Sequence, residues 1–157
     1  MTEKVMLAAG CFWGVEEELM KTPGVVDTQV GFAQGITQSP SYKEVCTGAT
    51  QHAEVVLVEF DSAILPFEKL LDRFWEIHNP TQVNRQGPDV GTQYRSGIYY
   101  FTEDQKEKAT ESKKDQDRSE KWCAPVVTEI EPAQTFFPAE DYHQKYFQKN
   151  GGVGCKI

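Results

Sequence analysis

Short apolar runs alternate with helical stripes along this 157-residue chain, and that alternation constrains the fold more than any other feature. Val5–Ala9 is an apolar run closed by Gly10, the pattern of a buried strand. Phe12, Val15 and Leu19 follow at spacings of three and four until Pro23-Gly24 stops them, which predicts a helix over about 12–21. Val25–Val30 reads as a second strand, leading into a loop with Gly31, Gly35, Ser39 and Pro40. From His52 to Phe60 apolar residues dominate both faces, as in a central strand. Pro66 suits the first turn of a helix striped by Phe67, Leu70, Leu71, Phe74 and Ile77 and ended by His78-Asn79-Pro80. An irregular stretch over about 79–93 is long enough to be functional, and it precedes a strand at Arg95–Phe101. Thr102 and Gln105 form a capping-box pattern opening a polar helix over 103–121, in which Ala109 is almost alone as an apolar contact. Val126–Ile130 reads as a further strand, and the chain after Tyr142 as largely irregular. The resulting order, β-α-β-β-α-β-α-β, predicts an α+β layer architecture, and the length predicts a single domain over residues 1–157.

Charge narrows the function. Lys and Arg number 16 against 24 Asp and Glu, a net charge of -8, which argues against nucleic acid or an anionic membrane surface as a partner. No apolar run approaches the roughly 20 residues of a membrane helix. The first residues lack the basic and apolar regions of a signal peptide, so a cytoplasmic protein is expected. The four cysteines, Cys11, Cys46, Cys123 and Cys155, include no CxxC pair, and His52, His78 and His143 lie far apart, so a zinc site is not expected. In a reducing cytoplasm a disulfide would be transient and catalytic.

Cys11 stands between a strand end and the first turn of a helix, where unpaired backbone N–H groups favour a thiolate. A buried structural thiol is the alternative. Glu16, Glu17 and Glu18 would oppose the thiolate if they pointed inward, but their helical position predicts that they mostly face away. Glu54 alternates onto the same strand face as Val56, Val58 and Phe60. Burial there would raise its pKa and keep it protonated, whereas a place at the strand's wet end would not. Tyr42, Asp89 and Tyr94 lie in or beside loops and could supply hydrogen bonds. Cys155 follows a glycine-rich tail that would let a thiol travel. One reaction uses all of these groups. A sulfoxide sulfur is electrophilic, its oxygen leaves when protonated or strongly hydrogen-bonded, and an aromatic pocket from Phe12 and Trp13 suits an S-methyl group. The cysteine sulfenic acid so formed can condense with a mobile second thiol. Rival readings are a cysteine-dependent hydrolase or acyltransferase, which needs a histidine base near Cys11, and an inactive acidic interaction module.

Gly10-Cys11-Phe12-Trp13-Gly14 resembles the signature of the A-type peptide methionine sulfoxide reductases. The resemblance continues through Tyr42-Lys43-Glu44-Val45-Cys46, His52-Ala53-Glu54 and Phe74-Trp75. It extends to Arg85-Gln86-Gly87, Gly91-Thr92-Gln93-Tyr94-Arg95-Ser96 and Ala139-Glu140-Asp141-Tyr142-His143-Gln144. It implies an α+β fold with a ferredoxin-like mixed sheet core, flanking helices and an irregular glycine-rich C-terminal tail. It implies reduction of the S epimer of methionine sulfoxide, free or in proteins, by a monomer that uses thioredoxin as reductant and has no metal or organic cofactor. By motif position Cys11 would be the nucleophile and Glu54 the acid. Tyr42 and Tyr94 would bind the sulfoxide oxygen, Asp89 would organise the polar side, Phe12 and Trp13 would hold the methyl group, and Cys155 would recycle the enzyme. Cys46 and Cys123 are weaker candidates for that last role. Phe32, Gln34, Gln51, Asn79 and Pro88 depart from the family's usual residues, and Phe32 removes one phenol near the site.

Overall fold

The apolar run before Gly10 is the strand β1 (Thr2–Ala9), buried from Val5 onward on both faces in a computed structural model that describes residues 2–150. Gly10, at φ +100°, turns the chain directly into α1 (Phe12–Met20), whose Phe12, Val15 and Leu19 face the core. Next come β2 (Val25–Ala33), the short α2 (Tyr42–Cys46), β3 (Ala53–Asp61) and α3 (Phe67–Glu76). The stretch expected to be irregular contains a hairpin, β4 (Arg85–Gln86) and β5 (Asp89–Val90), and a 3-10 turn over Thr92–Tyr94. The hairpin turns on two residues with Gly87 first, at φ +57°, as two-residue hairpin loops favour. Then follow β6 (Ser96–Tyr100), α4 (Glu103–Arg118), β7 (Glu129–Pro132), β8 (Phe137–Pro138), a 3-10 turn at Asp141–His143 and α5 (Tyr146–Asn150).

Six strands form one sheet in the order β7-β6-β1-β3-β2-β8. Its pairs are antiparallel except β6 with β7, so the sheet is mixed. The inner order β6-β1-β3-β2, crossed over by α1 and α3, is the ferredoxin-like βαββαβ core. On one face Val5, Leu7, Val56, Val58, Phe60 and Ile98 pack with the apolar sides of α1 and α3. On the other, Met6, Ala8, Val55 and Tyr99 are covered by Ala133 and Phe136 from the β7–β8 connection. Cover on both sides explains why β1 and β3 read as continuous apolar runs rather than alternating ones.

Three expectations are corrected. The seventh strand begins at Glu129, not Val126, because the Val126 and Val127 N–H groups donate instead to Asp117 Oδ1 (2.8 Å) and Pro80 O (2.8 Å). Thr102 does cap α4 by accepting from Gln105 N–H, but the Gln105 side chain accepts from Phe101 N–H rather than completing the box, and α4 ends at Arg118. Within the stretch after Tyr142, expected to be largely irregular, the described residues include the short helix α5. Among the described residues no helix is long and apolar enough to cross a membrane.

Candidate active site

Cys11 occupies the N-cap position of α1, 6% exposed, and is disulfide-bonded. Gly10 is required before it on two counts. Its φ lies in the region only glycine adopts readily, and a Cβ there would meet Gln86 Cγ at 2.8 Å. Glu54 enters from β3, paired across the sheet with Phe32 and buried. Its Oε1 accepts the Phe12 N–H at the first turn of α1 (3.1 Å), while Oε2 is buried without a hydrogen-bond partner. Burial pushes the Glu54 carboxyl up to about 8; the Phe12 N–H opposes that rise and the Asp89 charge adds to it. Of the two placements the sequence leaves open for Glu54, the structure shows the buried face and not a wet strand end.

The two phenols reach Glu54 from separate elements. Tyr42 is held at the start of α2 by a capping box between Ser41 and Glu44, and its own N–H donates to Glu140. Burial raises its phenol, and the Glu54 carboxylate and the neighbouring Cys46 raise it further. Tyr94 ends the 3-10 turn, and burial, then Glu54, push it up to about 12. Asp89 stands opposite Gln86 in the β4–β5 hairpin and acts on both Glu54 and Tyr94.

The aromatic side is larger than the sequence indicated. Phe12 is fully buried and lies under the others, 5.6 Å from Phe32 and 6.0 Å from Tyr42 between ring centres. Trp13 is half-buried, stacked on Tyr146 at 3.9 Å, and its indole N–H donates to His143 Nδ1 (2.9 Å). That bond fixes the tautomer of a neutral His143, leaving the proton on Nε2, which is buried and unpartnered. Burial also lowers the His143 pKa. Sequence reasoning missed His143 and Tyr146 as site residues. The signal was there in Ala139–Gln144, but no periodicity tied that segment to α1.

Other expected residues fall elsewhere. Glu16 does not face away: it is buried, accepts from Thr28 Oγ1 (2.7 Å) and from Lys145 N–H (2.7 Å), and so ties α1 to β2 and to the segment before α5. His52 and His78 have both ring nitrogens engaged, His52 with Gly35 N–H and Thr37 O, His78 with Phe74 O and Ser96 Oγ. Neither is available as a base for Cys11, and His143, with Nδ1 taken by Trp13, has only its protonated Nε2 unpartnered, so none of the three histidines offers the free ring nitrogen a hydrolase's base needs. Cys46 and Cys123 are free, exposed thiols. Cys155 lies outside the described residues. Among the described residues no three His, Cys, Asp or Glu side chains could hold a metal ion.

A family model described as peptide methionine sulfoxide reductase matches residues 3–157. This chain belongs to that family. The reductase MsrA of Methanoculleus marisnigri is 54% identical over 154 residues, spanning 98% of this chain and 94% of the relative. That of Geobacter sulfurreducens is 51% identical over 154 residues, spanning 98% and 95%. Among solved structures, Mxr1 from Saccharomyces cerevisiae in reduced form superposes with a TM-score of 0.92 at 38% identity, over 99% of this chain and 89% of that one. Mxr1 in complex with Trx2 superposes with a TM-score of 0.68 at 25% identity, over 99% and 87%.

Proposed function

We propose that this chain reduces the S epimer of methionine sulfoxide, free or in proteins, to methionine, as a single domain with Cys11 as nucleophile. The observation that carries the reading is the Glu54 carboxyl: buried, held by one oxygen at the first turn of α1, and with its other oxygen unpartnered beside the cysteine. The Cys11 thiolate attacks the sulfoxide sulfur while Glu54 gives its proton to the sulfoxide oxygen. In the adduct the hydroxyl passes from the substrate sulfur to the Cys11 sulfur: the substrate S–O bond and the new S–S bond break, a Cys11 S–O bond forms, methionine leaves with the electron pair of the S–S bond, and Cys11 is left as a sulfenic acid. Tyr42 and Tyr94, kept neutral by burial beside Glu54, donate hydrogen bonds to that oxygen as its charge builds. Burial, and after it the Asp89 charge, keep Glu54 protonated, and Trp13 with Phe12 offers the methyl group an aromatic wall.

Cys155 then attacks the sulfenic sulfur, releasing water and forming a disulfide with Cys11. Support for choosing Cys155 is its place behind the glycine-rich run Gly151-Gly152-Val153-Gly154, a sequence that lets a thiol travel. Thioredoxin reduces this disulfide to two thiols and is itself oxidised, a role supported by the Trx2 complex of the related Mxr1. Two exposed free thiols also suit a cytoplasmic location.

The test gives reduced protein the two epimers of N-acetylmethionine sulfoxide and separates the products by chromatography. Without reductant the S epimer should yield one equivalent of N-acetylmethionine, with thioredoxin many, and Cys11→Ser none. Reduction of the R epimer instead, or turnover by Cys11→Ser, overturns the reading.

A further inference from the structure

The hairpin that carries Asp89 is a small, isolated element, two residues in each strand and mostly exposed at Arg85, Gly87, Pro88 and Val90. A two-stranded hairpin has little stability of its own. Several of its hydrogen bonds stay local: Gly87 N–H to Gln82 Oε1, Arg85 to Gly87 O, and Gly91 N–H to Asn84 O. Gln86 is different. Its Oε1 accepts the Asn79 N–H (2.8 Å) and its Nε2 donates to Asn79 O (2.9 Å), so the side chain pairs with that backbone as a neighbouring strand would. Its Cβ and Cγ press against Gly10, on the turn that presents Cys11.

Directly opposed residues of an antiparallel pair project to the same side, and Gln86 is opposed by Asp89. We propose that Gln86 is a positioning residue of the reaction: its amide clamps the hairpin to Asn79, just beyond α3, and thereby fixes where its cross-strand partner Asp89 stands relative to the site. The glutamine touches neither substrate nor the reacting atoms and works through the aspartate. Groups facing Glu54 from other elements are Tyr42 and Cys46 on α2, Tyr94 on the 3-10 turn, and Cys11 beside the Phe12 N–H. None of these groups is hydrogen-bonded to the Gln86 amide, whereas Asp89, whose charge also bears on Glu54, is its cross-strand partner. The inference rests on the acid role proposed for Glu54.

Gln86→Met keeps the methylenes over Gly10 and removes both amide bonds, and Gln86→Asn keeps an amide too short to reach Asn79. Each is compared with wild type, with Asp89→Asn and with the double variant Gln86→Met/Asp89→Asn. The Glu54 carboxyl is titrated by carbon-13 NMR in the disulfide form, and kcat/KM for the S epimer is measured against pH. Losing the clamp should lower the Glu54 midpoint in the same direction as Asp89→Asn. The double variant should shift no further than Asp89→Asn alone, the mark of residues acting as one unit. The alkaline limb of kcat/KM should move down with it, and kcat/KM should fall roughly tenfold or more. A Glu54 midpoint unmoved in both Gln86 variants, or shifts that add in full, overturns the proposal. The titration needs no turnover, so a wild-type protein inactive on methionine sulfoxide would sink the proposed function while the clamp was still measured.

Discussion

Replacing Glu54 with Gln should make the protein less stable than wild type in acid and more stable in mild alkali. Glu54 is 1% exposed, and its carboxyl is pushed up to about 8, whereas an unfolded chain ionises Glu near 4.3. Between those values the folded protein holds a proton that the unfolded chain has released. Wild-type stability therefore falls as pH rises, by about 1.4 kcal/mol per unit. The loss accumulates to about 4 kcal/mol at pH 7 and levels near 5 kcal/mol above pH 8. Gln escapes it. Its carbonyl can still accept the Phe12 N–H, but its amide nitrogen lands where Oε2 has no partner, a desolvation cost of about 1–3 kcal/mol. The two effects cross between roughly pH 5 and pH 7. Urea unfolding of both proteins in the disulfide form at pH 5, 6, 7, 8 and 9 reads the difference directly, since every other titrating group is common to the pair. The stability of Glu54→Gln minus that of wild type should climb by about 1.4 kcal/mol per unit up to pH 8 and then flatten. A difference constant with pH would show that Glu54 titrates normally, and would remove the proton donor from the mechanism.

Trp13→Phe keeps a ring on Tyr146 but strips the N–H that pairs with His143 Nδ1. Steady-state kinetics should show KM rising several-fold with kcat little changed, as for a group that binds substrate and transition state alike. His78 is buried and held near 4, against about 6.5 when unfolded. The folded state refuses a proton that the unfolded state accepts, so stability is lost as pH falls from about 6.5 through about 4, roughly 3 kcal/mol in all. Thermal melts of wild type and His78→Gln at pH 4 and pH 7 should show that part of the acid sensitivity disappearing in the variant. Gln51 sits at φ +58° and Gln34 at φ +70°, and a non-glycine residue pays about 1 kcal/mol for that conformation. Gln51→Gly should raise the melting temperature by about 1–3 °C. Gln34→Gly should not, because the Gln34 side chain donates to Pro132 O and accepts from Gln134 N–H.

What the sequence could and could not reveal divides by the range of the interactions. The β1–Gly10–α1 junction was legible because an apolar run, a glycine and a helical stripe are all local signals, and Glu54 because a carboxylate amid Val55, Val56 and Val58 needs an explanation. The gathering of Tyr42, Asp89 and Tyr94 was not legible from patterning. They sit on a five-residue helix, a two-residue strand and a three-residue turn, each too short to carry a period, and only the motif resemblance joined them. Glu16 was misread because its partners, Thr28 and Lys145, come from β2 and from far along the chain. A run of three glutamates on an amphipathic helix looks uniformly solvated until those partners are known. His143 and Tyr146 were missed for the same reason, as both reach Trp13 across more than a hundred residues of sequence.

Sulfoxide reduction asks for groups in opposite protonation states within one small volume, and the N-terminus of α1 supplies both. The end of the helix favours negative charge on the cysteine at its N-cap, while its first free N–H is spent on Glu54. Everything else around Glu54 favours the neutral acid: burial first, then the Asp89 charge. A thiolate beside it pushes the same way, since like charges resist ionising together. Attack reverses that balance. In the proposed reaction the charge of Cys11 would pass to the sulfoxide oxygen as the bond to sulfur forms, making that oxygen the strongest base in the site while the pressure holding the proton on Glu54 falls. The two phenols, raised by burial and by the same carboxylate, stay neutral throughout and can only donate. In the proposed reaction, burial that would be costly for each polar group alone would thus leave Glu54, Tyr42 and Tyr94 all protonated as donors for one oxygen, with the proton moving once the nucleophile has given up its charge.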